Sequence, residues 1–348
     1  MFVNPGRYPT SLESRSIRRY HLPRPNPSGH QHIHMVMDKT PPITFLVFGD
    51  LHGRILPAFR FASYWSRRHQ RTLAGLLQVG DLGYFPDISR IDKATLRHAK
   101  DDLLELGTFE VVTRTEIADG VFDDDPACPP GLWFTAGNHE DFQELERLAR
   151  ASGDQPDFAV DAYCRVWAIK DGNIVALPKP PTRWEAEPTT AAIASPEALG
   201  LSSLRVAAIW GVDGDEANAR QNLPPRGYID DAAIDRLSWE QFDVLLSHDA
   251  PYEAKRVGYG SRLLRALIEQ TQPRFAFFGH YSGDGSRSSQ DFGRTEVYHL
   301  SGFELRTRDG HPESGSVGVL EQTGSGWMFD FVPDDDLRPF TRRNWKWV

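Results

Sequence analysis

The feature that most constrains the fold of this chain is a set of short, continuous apolar runs rich in β-forming residues. Such runs are typical of strands buried on both faces, because a half-exposed strand would alternate apolar and polar residues. Helical patterns follow the first three runs, at 55–69, 93–106 and 141–151. Alternation of strand and helix predicts a parallel sheet covered by helices. The runs are ITFLVFG (43–49), GLLQVG (75–80), GLWFTAG (131–137), FDVLLSH (242–248) and RFAFFGH (274–280).

The remaining segments predict one large domain over 41–348, with its last strands packed on the body. Residues 1–40 are polar, rich in proline and without a hydrophobic period, so they predict a disordered or loosely packed leader. The stretches 179–203 and 212–230 predict long loops, which in compact domains are often functional. A helix with Ser261 as its N-cap is predicted to follow the fourth run. Further strands are predicted at 164–177, 204–210, 294–300, 315–321 and 326–332.

Composition excludes several classes of protein. The sequence has no run of about 18 apolar residues, so no transmembrane helix is expected, and the leader lacks the apolar centre of a secretory signal. Cys128 and Cys164 share no zinc-ligand spacing, which predicts free thiols and a cytoplasmic location. The net charge of −9 argues against a long nucleic acid as partner, although a local basic patch can coexist with an acidic total. The sequence specifies no oligomeric state.

Polar residues that a hydrophobic core does not need end or directly follow all five apolar runs. Because the carboxyl ends of parallel strands gather at one edge of a sheet, side chains far apart in sequence are expected to converge there. Their carboxylate, imidazole and amide groups suit divalent ions such as Mn, Fe or Zn. Glycine directly precedes four of these positions, which permits tight turns and close approach of the backbone. The candidate site residues are Asp50, His52, Asp81, Asn138, His139, Glu140, His248 and His280.

The ordered motifs DLHG, GD, GNHE, a lone histidine and GH span 43–282 and resemble the calcineurin-like metallophosphoesterase superfamily. This resemblance implies an α/β fold, a four-layered α/β/β/α sandwich, that holds two divalent metal ions and hydrolyses phosphate esters. It implies that Asp50 and His52 bind the first ion and that Asp81 bridges the two. The residues that it assigns to the second ion are Asn138, His248 and His280.

The same resemblance implies a mechanism. A hydroxide bridging the two ions would attack phosphorus in line with the leaving group, and His139 would be the general acid that protonates the leaving oxygen. Glu140 would support the site or the N-terminus of the next helix rather than bind a metal ion. Arg54, two residues after His52, is a candidate to contact the substrate phosphate; the alternative is an arginine on a helix surface.

One position departs from the superfamily pattern. Family sequences often end in GHxH, whose last histidine binds the first ion, whereas this chain reads GHYS with Ser282 in that place. Serine is a poor ligand for these ions. The first ion would keep Asp50, His52, Asp81 and water, so the sequence predicts weak occupancy of the first site.

The sequence leaves the function open between three alternatives. Stretches such as GNHE, LRVAAIWG and SHDAP are similar to lariat-debranching enzymes, which cut a 2′,5′-phosphodiester in branched RNA. Those enzymes typically carry cysteine where Asp50 stands and histidine where Ser282 stands. The first hypothesis is a phosphoesterase acting on small phosphomonoesters or diesters. The others are a nuclease-like phosphodiesterase, favoured if basic residues flank the metal site, and a catalytically weak metal-binding module.

Overall fold

In the computed structural model, the described residues are 42–179, 203–214 and 227–348. The predicted leader and most of the two predicted long loops lie outside them. The strands are β1 Thr44–Phe48, β2 Gly75–Gln78, β3 Leu132–Phe134, β4 Asp157–Ala159, β5 Val166–Ile169, β6 Asn173–Leu177, β7 Leu204–Ile209, β8 Val244–Ser247, β9 Phe275–Phe278, β10 Ser286–Arg287, β11 Glu296–His299, β12 Val317–Thr323 and β13 Gly326–Phe331. The helices are α1 Ile55–His69, α2 Lys93–His98, α3 Phe109–Val112, α4 Glu116–Phe122, α5 Phe142–Ala151, α6 Asp231–Leu237, α7 Arg262–Thr271 and α8 Asp334–Leu337.

The strands form two mixed sheets, each with parallel strands at its centre. The first sheet has the order β13-β12-β1-β2-β3-β5-β4, in which β1, β2, β3 and β5 are parallel. The second has the order β10-β11-β9-β8-β7-β6, in which β7, β8, β9 and β11 are parallel. Antiparallel strands close the edges of both sheets. In each sheet, the carboxyl ends of the central parallel strands therefore lie side by side along one edge.

Alternation of side chains along the strands builds four layers. Phe45 and Val47 of β1 pack in a core shared by the two sheets, whereas Leu46 and Phe48 face helices α1, α4 and α5. In β9, Phe275 and Phe277 face the shared core, and the residues between and after them face α6 and α7. Because both faces of these strands are buried, the runs are continuously apolar. This arrangement confirms the predicted α/β/β/α sandwich.

Two of the predicted elements are divided in the structure. The helix predicted over 93–106 ends at His98, and a separate 3₁₀ turn covers Leu103–Leu106. The Asp102 side chain caps that turn by accepting a hydrogen bond from the Leu104 amide. The turn is therefore a separate element and not a continuation of α2. The strand predicted over 164–177 is two strands, β5 in the first sheet and β6 in the second. Gly172, with φ of 63°, lies in the turn where the chain passes between the sheets.

The other predicted elements agree with the structure to within a few residues. Ser261 caps α7 by accepting a hydrogen bond from the Leu264 amide at 3.3 Å, as predicted. At the C-terminus, Trp345 is buried in the outer core while Trp347 is 83% exposed, so only the first of these tryptophans packs on the body. Among the described residues, none of the helices combines the length and the apolar character needed to cross a bilayer.

His299 at the end of β11 is a structural histidine whose protonation is expected to oppose folding. It is 1% exposed; its Nε2–H donates to the Tyr281 carbonyl at 2.7 Å, and its Nδ1 accepts from Lys255 at 2.9 Å. Burial, together with the Lys255 ammonium, lowers the pKa of His299 to about 4. Because the unfolded chain has the ordinary pKa of about 6.5, it binds a proton that the folded protein does not bind as pH falls.

We expect this group to cost about 2 kcal/mol of stability between pH 7.5 and pH 5, with the loss developing below about pH 6.5 and levelling off near pH 4. Urea unfolding of wild type and of His299→Gln across this range measures the effect, since glutamine keeps both hydrogen-bonding roles but does not titrate. The variant should show a flatter dependence on pH. Parallel curves for the two proteins would contradict the prediction.

Candidate metal centre

The carboxyl ends of five parallel strands bring the predicted ligands to one place. The chain leaves β1 at Asp50 and His52, β2 at Asp81 and β3 at Asn138, while the second sheet contributes from β8 and β9. Ligand atoms of Asp50, His52 and Asp81 all lie within 4.8 Å of one another. A cavity of about 410 Å³ opens over them. The predicted site residues on its wall are Asp50, His52, Asp81, His139 and His280.

Asp81 lies at the centre of this group. Its Oδ1 accepts hydrogen bonds from the Asn138 and His139 amides, each at 2.8 Å. Its Oδ2 lies between two imidazoles, 3.8 Å from His52 Nε2 and 3.1 Å from His248 Nε2. These are the histidines predicted for the first and the second ion. One carboxylate oxygen is therefore placed between the two predicted metal positions.

Two predicted ligands of the second ion carry buried polar atoms that form no hydrogen bond with any described residue. They are Asn138 Oδ1 and His248 Nε2. The approach of His248 Nε2 to Asp81 is close, but its geometry is not that of a hydrogen bond. Two ligand atoms that each lie about 2.1 Å from one ion at a right angle are about 3 Å apart. The residues present thus fit a metal ion, which would satisfy atoms that otherwise lose their hydrogen bonds to water.

At the strand ends, three residues have a left-handed backbone conformation that is uncommon for residues other than glycine. His52, Asp81 and His280 have φ of 41°, 52° and 66°, in the left-handed region. Such conformations cost of order 1 kcal/mol or more and concentrate at functional sites. A Cβ on Gly137 would overlap the Asp81 carboxylate, and one on Gly279 would overlap that of Asp50. Glycine at these two positions is therefore required by close packing of one strand end on another, as the sequence predicted.

Burial and mutual charge set the protonation of the site. Burial lowers the pKa of His52 to about 4, so its imidazole is neutral at pH 7. Burial raises the pKa of Asp50 to about 7, with a smaller contribution from Asp81. Burial opposes protonation of His248, but the Asp81 and Asp50 carboxylates outweigh it and raise the pKa to about 10. The cluster therefore favours positive charge beside Asp81, as a cation site does.

His139 is paired with a carboxylate that the sequence analysis missed. Its Nδ1 lies 2.8 Å from Asp92 Oδ2, which leaves Nε2 as the ring nitrogen for other contacts. Burial opposes protonation, but Asp81 and Asp92 raise the pKa of His139 to about 9. Asp92 also caps α2 through the Thr95 amide, at 2.7 Å. The sequence Asp-Lys-Ala-Thr signals that cap, whereas the pairing with His139 depends on tertiary contact.

Glu140 supports the site, as expected. Its two carboxylate oxygens accept hydrogen bonds from the Leu82 and Tyr84 amides, each at 2.7 Å, and hold the loop after Asp81. Burial, with Asp81 nearby, raises the pKa of Glu140 to about 8. Burial raises the pKa of the Cys128 thiol to about 12, which disfavours the reactive thiolate form.

The prediction that Arg54 contacts substrate is wrong. Its side chain is 0% exposed, so it is neither a phosphate ligand nor a surface arginine. It pairs with Asp102 at 2.7 Å and with Glu105 at 2.9 Å, and donates to the His52 carbonyl at 2.5 Å. Proximity in sequence to His52 suggested a role in the cavity. The guanidinium is instead buried and holds the backbone at His52 in place.

Glu304 is a second residue that the sequence analysis missed. It lines the same cavity, and its Oε1 lies 3.6 Å from His52 Nε2. It lies in the loop after β11, where no local motif distinguishes it from other glutamates. Ser282 also borders the cavity, on an exposed part of the wall.

No protein-family model and no curated protein matches the chain. Solved structures match weakly. One, titled GAP50, the anchor in the inner membrane complex of Plasmodium, is 14% identical over 84% of this chain and 85% of its own, with a TM-score of 0.41. A predicted phosphoesterase from Streptococcus pneumoniae TIGR4 is 10% identical over 85% of this chain and 92% of its own, with a TM-score of 0.30. A Saccharomyces cerevisiae protein serine/threonine phosphatase is 12% identical over 85% and 83%, with a TM-score of 0.32. At these values, function has to be inferred from the site itself.

Proposed function

We propose that this protein is a metal-dependent phosphoesterase with a two-metal site. The observation that carries the proposal is the pair of buried, unbonded ligand atoms, Asn138 Oδ1 and His248 Nε2, beside the Asp81 carboxylate. In the proposed arrangement Asp50 and His52 would hold the first ion, and Asp81 would be a ligand of both ions. The ligands of the second ion would be Asn138, His248 and His280. Carboxylate, imidazole and amide donors together suit Mn, Fe or Zn.

When bound, such ions supply a nucleophile from water at neutral pH and neutralise phosphate oxygens. The residues of the chain have complementary tasks. Asp81, held by two backbone amides, keeps the strand ends in register, and Glu140 holds the adjoining loop. The Asp92 carboxylate beside Nδ1 favours the cationic form of His139. With Nδ1 engaged by Asp92, its Nε2 can donate a proton to the leaving oxygen.

Hydrolysis of p-nitrophenyl phosphate and bis-p-nitrophenyl phosphate, with added Mn²⁺ and after chelation by EDTA, tests the proposal. We expect turnover of at least one ester with Mn²⁺ and its loss after chelation. His139→Asn should lower kcat by about 100-fold or more while manganese content stays at the wild-type value. Manganese binding without turnover of either ester would favour the catalytically weak module. Absence of manganese binding would overturn the proposal.

One observation favours the nuclease-like alternative. An arginine cleft of about 870 Å³ adjoins the metal cavity, and the two share Arg306 and His98. Its basic residues are Arg306, Arg308, Arg342 and Arg343, while Asp101, Asp102 and Asp309 also line it. In the part of the chain that the structure describes, Arg308 and Arg343 are exposed and have no ion-pair partner. Two free guanidinium groups beside a phosphoesterase site suit a substrate with further phosphates.

The same assay extended to linear and branched RNA oligonucleotides distinguishes the alternatives. Branched RNA is included because of the similarity to debranching enzymes. If the arginine cleft binds further phosphates, the double variant R308S/R343S should raise KM for the oligonucleotides by about tenfold. Its KM for p-nitrophenyl phosphate should be unchanged. Arg338→Ser, which removes an exposed arginine paired with Asp334, is the matched control. If the double variant changed KM equally for both substrates, the result would favour the small-ester hypothesis.

A further inference from the structure

Glu304 lines the predicted metal cavity and lies in the loop after β11 of the second sheet. We propose that Glu304 is a ligand of the first metal ion, in the role that Ser282 cannot fill; this inference rests on the proposed function. Glu304 follows β11, which is parallel to β9 and ends at the same edge of the sheet. The preceding residue is docked on the site, because the Phe303 amide donates to the Asp50 carbonyl at 2.8 Å.

One carboxylate oxygen of Glu304 lies close to one predicted ligand of the first ion. Its Oε1 lies 3.6 Å from His52 Nε2. Two ligands that each lie about 2.1 Å from an ion and subtend a tetrahedral angle are about 3.5 Å apart. Glu304 is not part of the described group whose ligand atoms all lie within 4.8 Å of one another, which is Asp50, His52 and Asp81. Glu304 has to approach that group further, and its three side-chain torsions give it the reach.

The other carboxylate oxygen is already engaged. Glu304 Oε2 forms an ion pair with Arg306, which also pairs with Glu105, and Glu105 in turn pairs with Arg54. The Glu304 side chain is only 18% exposed. Orientation of a ligating carboxylate by a neighbouring hydrogen-bond donor is usual at metal sites and raises affinity. This network therefore holds one oxygen of Glu304 and leaves the other directed toward His52.

The proposed ligand changes the expected metal preference. With Glu304, the first site has three carboxylates and one imidazole, from Asp50, Asp81, Glu304 and His52. Oxygen-rich sites suit Mn²⁺ or Mg²⁺, whereas imidazole-rich sites suit Zn²⁺. The second site, with two histidines and an amide, retains more nitrogen donors. We expect the first site to favour Zn²⁺ over Mn²⁺ by less than the second site does, and to bind Mn²⁺ more tightly than three protein ligands and water alone would.

Manganese binding to the full chain, followed by electron paramagnetic resonance and by elemental analysis after equilibrium dialysis, tests the assignment. Wild type is expected to bind two ions per chain. E304Q should bind one ion as wild type does and the other at least about tenfold more weakly. E304D keeps the charge but shortens the side chain, so it should also weaken binding of that ion. E313Q, which removes the same charge from another glutamate on the cavity wall, should match wild type.

The outcomes separate this inference from the proposed function. Two ions of wild-type affinity in E304Q would overturn the assignment of Glu304 and leave the two-metal site standing. Wild-type binding by E304D would show that Glu304 acts through charge rather than as a ligand, which also overturns it. Failure of wild type to bind manganese would overturn both proposals. Circular dichroism and thermal unfolding of each variant establish that it is folded, and E304D keeps the negative charge beside Arg306 should E304Q prove unstable.

Discussion

Replacing Asp81 with asparagine is expected to lower phosphate-ester hydrolysis by at least about 1,000-fold while the protein stays folded. The fold should persist, because the asparagine carbonyl oxygen can still accept from the Asn138 and His139 amides. The chemistry should fail, because the charged oxygen between His52 and His248 is lost. A neutral amide in that place neither bridges two cations nor balances their charge.

The measurement is kcat/KM with saturating Mn²⁺, together with bound manganese per chain. Asp157→Asn is the matched control: Asp157 is equally buried, but it pairs with Trp133 and Lys179 away from the cavity. We expect the control to lose stability and keep its specific activity. If Asp81→Asn retained a tenth of wild-type activity with two bound ions, Asp81 would not be the bridging ligand.

Replacing Arg54 with methionine is expected to destabilise the fold by about 3 kcal/mol. The guanidinium is fully buried and compensates two carboxylates that are themselves buried, Asp102 and Glu105. Methionine fills much of the volume but leaves both carboxylates without this partner. Arg342 and Arg306 still pair with them, which keeps the expected loss at the lower end of the range for broken buried pairs.

Urea unfolding at pH 7 measures this loss. Arg147→Met is the control, because Arg147 forms an ion pair with Glu144 while its side chain is 60% exposed. Exposed pairs contribute about 1 kcal/mol or less, so the control should lie within that value of wild type. Arg54→Met should also lower activity, since Arg54 holds the His52 carbonyl. A loss of stability no larger than that of the control would show that Arg54 is not needed to balance the buried carboxylates.

Much of the site could be predicted because its residues obey a local rule. Continuous apolar runs specify buried strands, and the parallel arrangement takes the next few residues of each strand to a common edge. Asp50, Asp81 and His248 could be chosen on that basis alone. The glycines before the ligands followed from the same rule, and Gly137 and Gly279 are indeed packed on carboxylates from other strands.

The errors arose where a role depends on partners distant in sequence. Arg54 is two residues from His52, a predicted ligand, yet it pairs with Asp102 and Glu105 and its side chain does not reach the cavity. Asp92 carries the signal of a helix cap, but its second role requires contact with His139, 47 residues away. Glu304 follows a strand whose parallel place beside β9 is not encoded in its own residues.

The sequence by itself determined the strand runs, the helices between them and the polar residues at the strand ends. These are set by short-range periodicity and by the burial preferences of individual side chains. Only the tertiary structure decided that two sheets stack so that their strand ends share one cavity, and which carboxylates accompany His52 and His139 there. Ion pairs and contacts between distant strand ends depend on the packing of the whole chain, and no local pattern of residues records them.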